Sequence, residues 1–164
     1  MTFGEFNQKY LPALAYYLIG FLVLVVTVVV DVHFSLQGGI FNSIGFFLIY
    51  IGIIIILWAF LYMRLAVFAF IEARRSELIT GGPYKYVRHP IYTGTIICLL
   101  GMVIVLRSLP GAIGLVVLFI PAAIYRGRAE DRVLARKFGQ KWHDYGAKTG
   151  SLLPALWRKR NKVR

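Results

Sequence analysis

Residues 40–63 read Ile40-Phe41-Asn42-Ser43-Ile44-Gly45-Phe46-Phe47-Leu48-Ile49-Tyr50-Ile51-Gly52-Ile53-Ile54-Ile55-Ile56-Leu57-Trp58-Ala59-Phe60-Leu61-Tyr62-Met63, without one charged side chain. At roughly 1.5 Å per residue, a helix over this stretch crosses the ~30 Å hydrocarbon core of a bilayer. Four consecutive isoleucines favour a strand in water. A bilayer offers the backbone no hydrogen-bond partners, so a helix is expected here. The apolar pattern continues through Leu65–Ile71, which predicts a helix that protrudes from the membrane before Glu72-Ala73-Arg74-Arg75.

Three further apolar runs flank this one. The run Leu11 to Val30 is long enough to span, with Pro12 in its first turn, where a missing N–H costs little. Met1 to Lys9 is mildly polar and the run after it is too long for the core of a cleavable signal, so none is expected. Ile91 to Leu106 and Ala112 to Tyr125 are shorter and are separated by the turn sequence Arg107-Ser108-Leu109-Pro110-Gly111. They predict an antiparallel helical hairpin in tilted or thinned membrane, with a re-entrant hairpin as the alternative. From Arg126 the chain is polar and helix-prone. Val133, Leu134 and Phe138 predict a buried stripe, and Gly139 a C-cap.

The composition agrees with an integral membrane protein: 59% of the 164 residues are apolar. The formal net charge of +12 would suggest nucleic acid in a soluble protein. Here the charges alternate by loop. One basic residue precedes the first run and none lies between the first two. Five lie between Arg64 and Arg88, one in the hairpin turn and twelve from Arg126 onward. The positive-inside rule then predicts four spans with both termini in the cytoplasm. One domain is expected over 1–164: two spans in 1–75, a functional region in 76–154 and a basic tail in 155–164, solvated near anionic headgroups. The lone Cys98 reads as a packing residue. The three histidines lack metal-ligand spacing, so no metal site is expected.

Between the second and third runs lies Gly82-Pro83-Tyr84-Lys85-Tyr86-Val87-Arg88-His89-Pro90-Ile91-Tyr92-Thr93-Gly94. Gly81-Gly82-Pro83 should break the backbone, and Pro90 should start the third helix at its first position. Arg88 and His89 then sit at a helix N-terminus, which favours an anionic group. The hairpin returns Arg126 to the same level, and Glu130 shares its face at i,i+4. Such a pocket combines a cation, an imidazole, a carboxylate and aromatic faces. It suits a zwitterionic ligand with an aromatic part and ribose hydroxyls. No Rossmann, Walker or nucleophile-elbow pattern is present.

These residues resemble the isoprenylcysteine carboxyl methyltransferase and phospholipid methyltransferase superfamily of small membrane enzymes. The shared elements are Gly82 to Gly94, the acidic pair Glu130-Asp131, and Leu134, Phe138, Gly139, Trp142 and Tyr145. The second acid departs from the common Glu-Glu by one methylene. The resemblance implies S-adenosylmethionine as cofactor and no metal. By position, Ser76, Glu77, Leu78, Ile79 and Tyr84 would line the cofactor. Arg88, His89, Pro90, Ile91, Tyr92 and Glu130 would hold it. Arg126 would face the acceptor, with Glu130 and His89 available for proton transfer. The implied partner is a lipid-like or amphipathic acceptor (carboxylate, amine or thiol) entering from the membrane lipids. Two other readings compete: an NADPH-dependent membrane reductase of the sterol type, and a non-catalytic small membrane subunit.

Overall fold

Gly45 and Gly52 lie seven residues apart in one apolar run, and Gly94 and Gly101 lie seven apart in another. In helices this spacing puts each pair on one face, two turns apart, where backbones can approach closely. A computed structural model describes residues 3–30, 32, 39–69 and 78–155, with side chains at 11–30, 32, 39–63 and 78–155. It brings the two pairs face to face. The elements in order are α1 (Phe3–Val29), α2 (Gly39–Ala69), a 3₁₀ turn (Gly82–Lys85), α3 (Pro90–Leu106), α4 (Leu109–Gly114), a π-helical segment (Leu115–Phe119), α5 (Ile120–Phe138) and α6 (Gln140–Lys148). Among the described residues there is no strand, only an isolated bridge between Val87 and Gly150.

The α2–α3 seam is tight because four side chains are missing from it. A Cβ on Gly52 would lie 2.7 Å from the Gly94 carbonyl oxygen, and one on Gly94 would lie 2.8 Å from the Gly52 oxygen. Two turns away, Gly45 and Gly101 meet in the same manner, at 2.9 and 2.6 Å. Cys98 packs in this seam, its Sγ 3.5 Å from the Ile49 carbonyl.

Three segments are long and apolar enough to cross a membrane: Leu11–Val29, Gly39–Met63 and Leu109–Phe138. α3 is apolar throughout but has 17 residues, about 26 Å at ~1.5 Å per residue. The run expected at 112–125 and the polar helix expected from Arg126 prove to be one rod. Its middle widens into the π segment just before Pro121. The Ile120 N–H donates to the Leu115 oxygen, five residues back, and Pro121 has no N–H to offer the Val117 carbonyl. Gly139 ends the rod at φ 54, as expected of a C-cap. The expected stripe is partly corrected: Val133 is 50% exposed, whereas Leu134 and Phe138 face a cavity. Arg126, Glu130, Leu134 and Phe138 follow one another at i,i+4 along the cavity-facing side of α5, and Val133 lies off that row.

The turn between α3 and α4 follows from its residues. Arg107 closes α3 in the left-handed region at φ 53. Ser108, fully buried, caps α4 by accepting the Gly111 N–H at 3.1 Å. The Leu109 N–H donates to the Val32 carbonyl, pinning the turn beside the end of α1. The core joins Tyr16 and Val23 of α1, Tyr92, Leu99 and Val103 of α3, Leu115 and Phe119 of the π segment, and Ala123 of α5.

Replacing Gly94 by valine should destabilise the fold by about 1–3 kcal/mol, the usual cost of overpacking. Gly39→Ala, where a Cβ meets nothing within 4 Å, should change stability by less than about 0.5 kcal/mol. Thermal unfolding in detergent compares the two; equal melting temperatures would contradict the seam.

Candidate functional site

The segment before α3 is bent by its glycine and prolines. Gly82 takes φ 57, a conformation open to glycine, with its backbone against the Tyr62 ring. Pro83 is the second residue of the 3₁₀ turn. Pro90 opens α3, with His89 as the N-cap residue. Backbone bonds then hold Arg88 and His89 from behind: the Arg88 N–H donates to the Gly150 carbonyl (2.8 Å) and the His89 N–H to the Ser151 carbonyl (3.1 Å). At the front, the Tyr145 hydroxyl of α6 donates to the Tyr84 carbonyl at 2.7 Å. The start of α3 is therefore clamped between α6 and the chain that follows it.

Opposite stands α5, which comes close because Gly127 has no side chain. A Cβ there would lie 3.2 Å from the His89 ring. The result is an alternating row of charges. Arg126 Nη2 lies 2.8 Å from Glu130 Oε1. His89 Nδ1 lies 3.5 Å from Glu130 Oε2, and His89 Nε2 2.9 Å from Asp131 Oδ1. Asp131 Oδ2 in turn pairs with Arg88 Nη1 at 3.2 Å. The Tyr92 hydroxyl donates to Glu130 Oε1 (2.8 Å) and accepts from Arg126 Nε–H (3.0 Å). Carboxylates only accept, so the form of His89 that satisfies both neighbours carries a proton on each nitrogen. Burial opposes that charge. Hydrogen bonds and charge from Asp131 and Glu130 outweigh it and hold the imidazole above its ordinary value of 6.5. Burial also raises the Tyr84 phenol, and pushes Tyr145 up to about 12 although Arg88 opposes the shift. Both remain neutral donors near pH 7.

Aromatic rings link this row to the core. His89 stacks on Tyr92 at 5.3 Å between centroids, Tyr92 lies 4.8 Å from Tyr16, and Tyr16 lies 5.1 Å from Phe119. Arg88 lies over the Trp142 ring at 5.7 Å.

A cavity of about 450 Å³ opens beside the row. Of the residues singled out in the sequence, Leu78, Ile79, Tyr84, Arg88, His89, Pro90, Ile91, Tyr92, Arg126 and Glu130 all line it. Ser76 and Glu77 lie outside the described residues. Sequence reasoning assigned no role to Tyr17, Met63 or Lys137, which also line the cavity. Nothing local distinguishes them from an exposed belt residue, a span end or a solvated lysine. Asp131 was underrated because its shorter side chain departs from the common pattern, yet it holds both Arg88 and His89. Trp142 and Tyr145 belonged to the quoted pattern; their place on α6 turns them onto the cavity. No group of three or more His, Cys, Asp or Glu able to hold a metal occurs among the described residues.

The described residues are helical, with apolar segments long enough to cross a membrane and a clustered polar site. The chain belongs to the phospholipid methyltransferase family, whose profile matches residues 40–141. That membership supports an enzyme of the methyltransferase class over the reductase and the non-catalytic subunit. Among curated proteins it is 35% identical over 104 residues to the nickel-cobalt-cadmium resistance protein NccN of Alcaligenes xylosoxydans xylosoxydans. It is 32% identical over 103 residues to the cobalt-zinc-cadmium resistance protein CzcN of Cupriavidus metallidurans. Each alignment covers 61% of this chain and 43% of the relative, so the match spans less than half of those proteins. No solved structure matches the chain.

A raised His89 pKa has a testable sign. The imidazolium stabilises the fold fully below pH 6.5, and this contribution is lost as pH rises through the higher folded value. Melting temperature should therefore fall above pH 6.5 in the native chain. In Asp131→Asn, which removes a favourable charge and lowers the folded value, the fall should be smaller and finish at lower pH. Superimposable profiles would contradict the ion-paired histidine.

Proposed function

We propose that this chain transfers a methyl group from S-adenosylmethionine to a lipid-like or amphipathic acceptor drawn from the bilayer. The observation that carries the reading is the meeting of Tyr84–Tyr92 with Arg126–Asp131 around one cavity, in a chain of a methyltransferase family. Bound S-adenosylmethionine supplies an activated sulfonium methyl, so no metal or covalent enzyme intermediate is required.

The residues present fit that cofactor. Arg88 lines the cavity, and its buried Nε has no hydrogen-bond partner among the described residues. That orphan donor, fixed by Asp131 and by the Trp142 ring, suits the cofactor's carboxylate. Tyr84, Phe138, Trp142 and Tyr145 offer ring faces for the adenine. Glu130 presents acceptor oxygens to hydroxyls and stabilises positive charge nearby, while His89 and Tyr92 hold Glu130 in place. Leu78 and Ile79 exclude water from one side. Alignment of donor and acceptor is then the main demand on the protein.

Arg126 faces the acceptor and orients an acidic group on it. A carboxylate or thiolate acceptor needs no base, whereas an ammonium acceptor first gives a proton to Glu130. We place the site on the cytoplasmic side, where the basic loops collect, with four spans, both termini on that side and a prokaryotic cytoplasmic membrane as the setting. The resistance names of the relatives are consistent with modification of a membrane component and do not require this chain to coordinate the metal.

Calorimetry of the purified full chain with S-adenosylhomocysteine tests the reading. Binding should weaken about 10- to 100-fold in Glu130→Gln and in Arg88→Gln, the usual loss of a charged hydrogen bond. Absence of binding at millimolar ligand would defeat the proposal. Labelled methyl donor with a total lipid extract then identifies the acceptor class.

A further inference from the structure

A second cavity, of about 540 Å³, lies on another face of α3. Thr93, Ile96 and Ile97 form its α3 wall, at the i,i+3,i+4 spacing of a single helical face. Its α5 wall is the row Ile120, Ile124, Arg128, spaced one turn apart. The slot therefore has a direction. It is apolar where α3 and α5 run through their apolar segments. It ends in a guanidinium at the level where Arg126 and Glu130 mark the polar boundary.

Arg128 differs from the other cations beside it. Arg88 pairs with Asp131 and Arg126 with Glu130. Arg128 has no ion pair or hydrogen bond among the described residues, and it is exposed. An uncompensated cation above an isoleucine-lined slot is complementary to a molecule with the opposite charge above an aliphatic chain. A soluble anion would leave the isoleucines uncovered, and an uncharged alkane would leave the arginine unpaired. The rim is Ser151-Leu152-Leu153, and Leu153 is 76% exposed at the mouth, placed to cover more of a chain seated there.

We propose that this slot binds one anionic phospholipid, with an acyl chain between α3 and α5 and the phosphate on Arg128. The site is separate from the methyl-transfer cavity and does not depend on that reading. Its rim is nevertheless the strand of chain that supports the other site. The Thr93 hydroxyl donates to the Leu152 carbonyl at 2.7 Å, and the Gly150 and Ser151 carbonyls accept from Arg88 and His89. A lipid under this rim braces the peptide that holds the start of α3.

The test uses the full chain in a neutral detergent, titrated with dioleoyl phosphatidylglycerol or dioleoyl phosphatidylcholine, with retained lipid counted by native mass spectrometry. The anionic lipid should be held about five-fold more tightly, the usual gain from one basic residue near an anionic headgroup. Arg128→Gln should remove that preference and Arg128→Lys should keep it. Arg136→Gln loses the same charge at an exposed position outside the slot and should also keep it. Equal retention of the two lipids by the native chain overturns the proposal, as does a preference that survives Arg128→Gln. An equal loss in Arg128→Gln and Arg136→Gln overturns it as well, because diffuse surface charge then accounts for the effect.

Discussion

The imidazole of His89 sits between two carboxylates on consecutive residues of α5, each carboxylate in turn holding an arginine. Charges at this depth lose much of their hydration, and their mutual attraction must offset that loss. The alternating row achieves this because no member faces a like charge directly. Removing one member leaves partly buried neighbours uncompensated, so the row should respond as a unit. It is also the principal tie between the start of α3 and the polar half of α5, so the shape of the adjoining cavity follows from it.

For the row to form, α3 must present His89 at a fixed depth. Two features set that depth. The glycine seam locks α3 to α2 at backbone contact, where a one-residue slip would replace each glycine with a side chain. The ladder of rings from Phe119 through Tyr16 and Tyr92 to His89 fixes α3 against α1 and the π segment. The π segment lies directly before Pro121, where an amide hydrogen is missing. It shifts the helical register just before the turns that carry Arg126 and Glu130. Packing in the apolar part of the chain thus sets the angle at which the polar residues meet.

The arrangement suits chemistry between partners of unlike solubility. One side of the polar row is a cavity where Arg88, Arg126, Lys137 and Glu130 share the wall with tyrosines and apolar side chains. The helices that carry the row are apolar below it. The charged groups of the row lie where the apolar segments give way to the polar half of α5.

Apolar run length, loop charge and the punctuation around Pro83, Pro90 and Gly139 are local properties. The bilayer requirement for internally bonded backbone turns them into helices without help from the rest of the chain. For that reason the helical class, the turn at Arg107-Ser108, the start of α3 and the residues Arg88, His89, Tyr92, Arg126 and Glu130 were all legible in the sequence. What remained hidden depends on which faces meet. Val133 and Leu134 are neighbours of similar character, and which of them is covered depends on which face of α5 meets the cavity. Tyr17 and Lys137 become lining residues, and Asp131 becomes the link between His89 and Arg88, through distances across α1, α3, α5 and α6. The chain's order carries no such distances, because side-chain pairing over forty residues is decided by how closely two helices can approach, and here glycines at 45, 52, 94, 101 and 127 decide it.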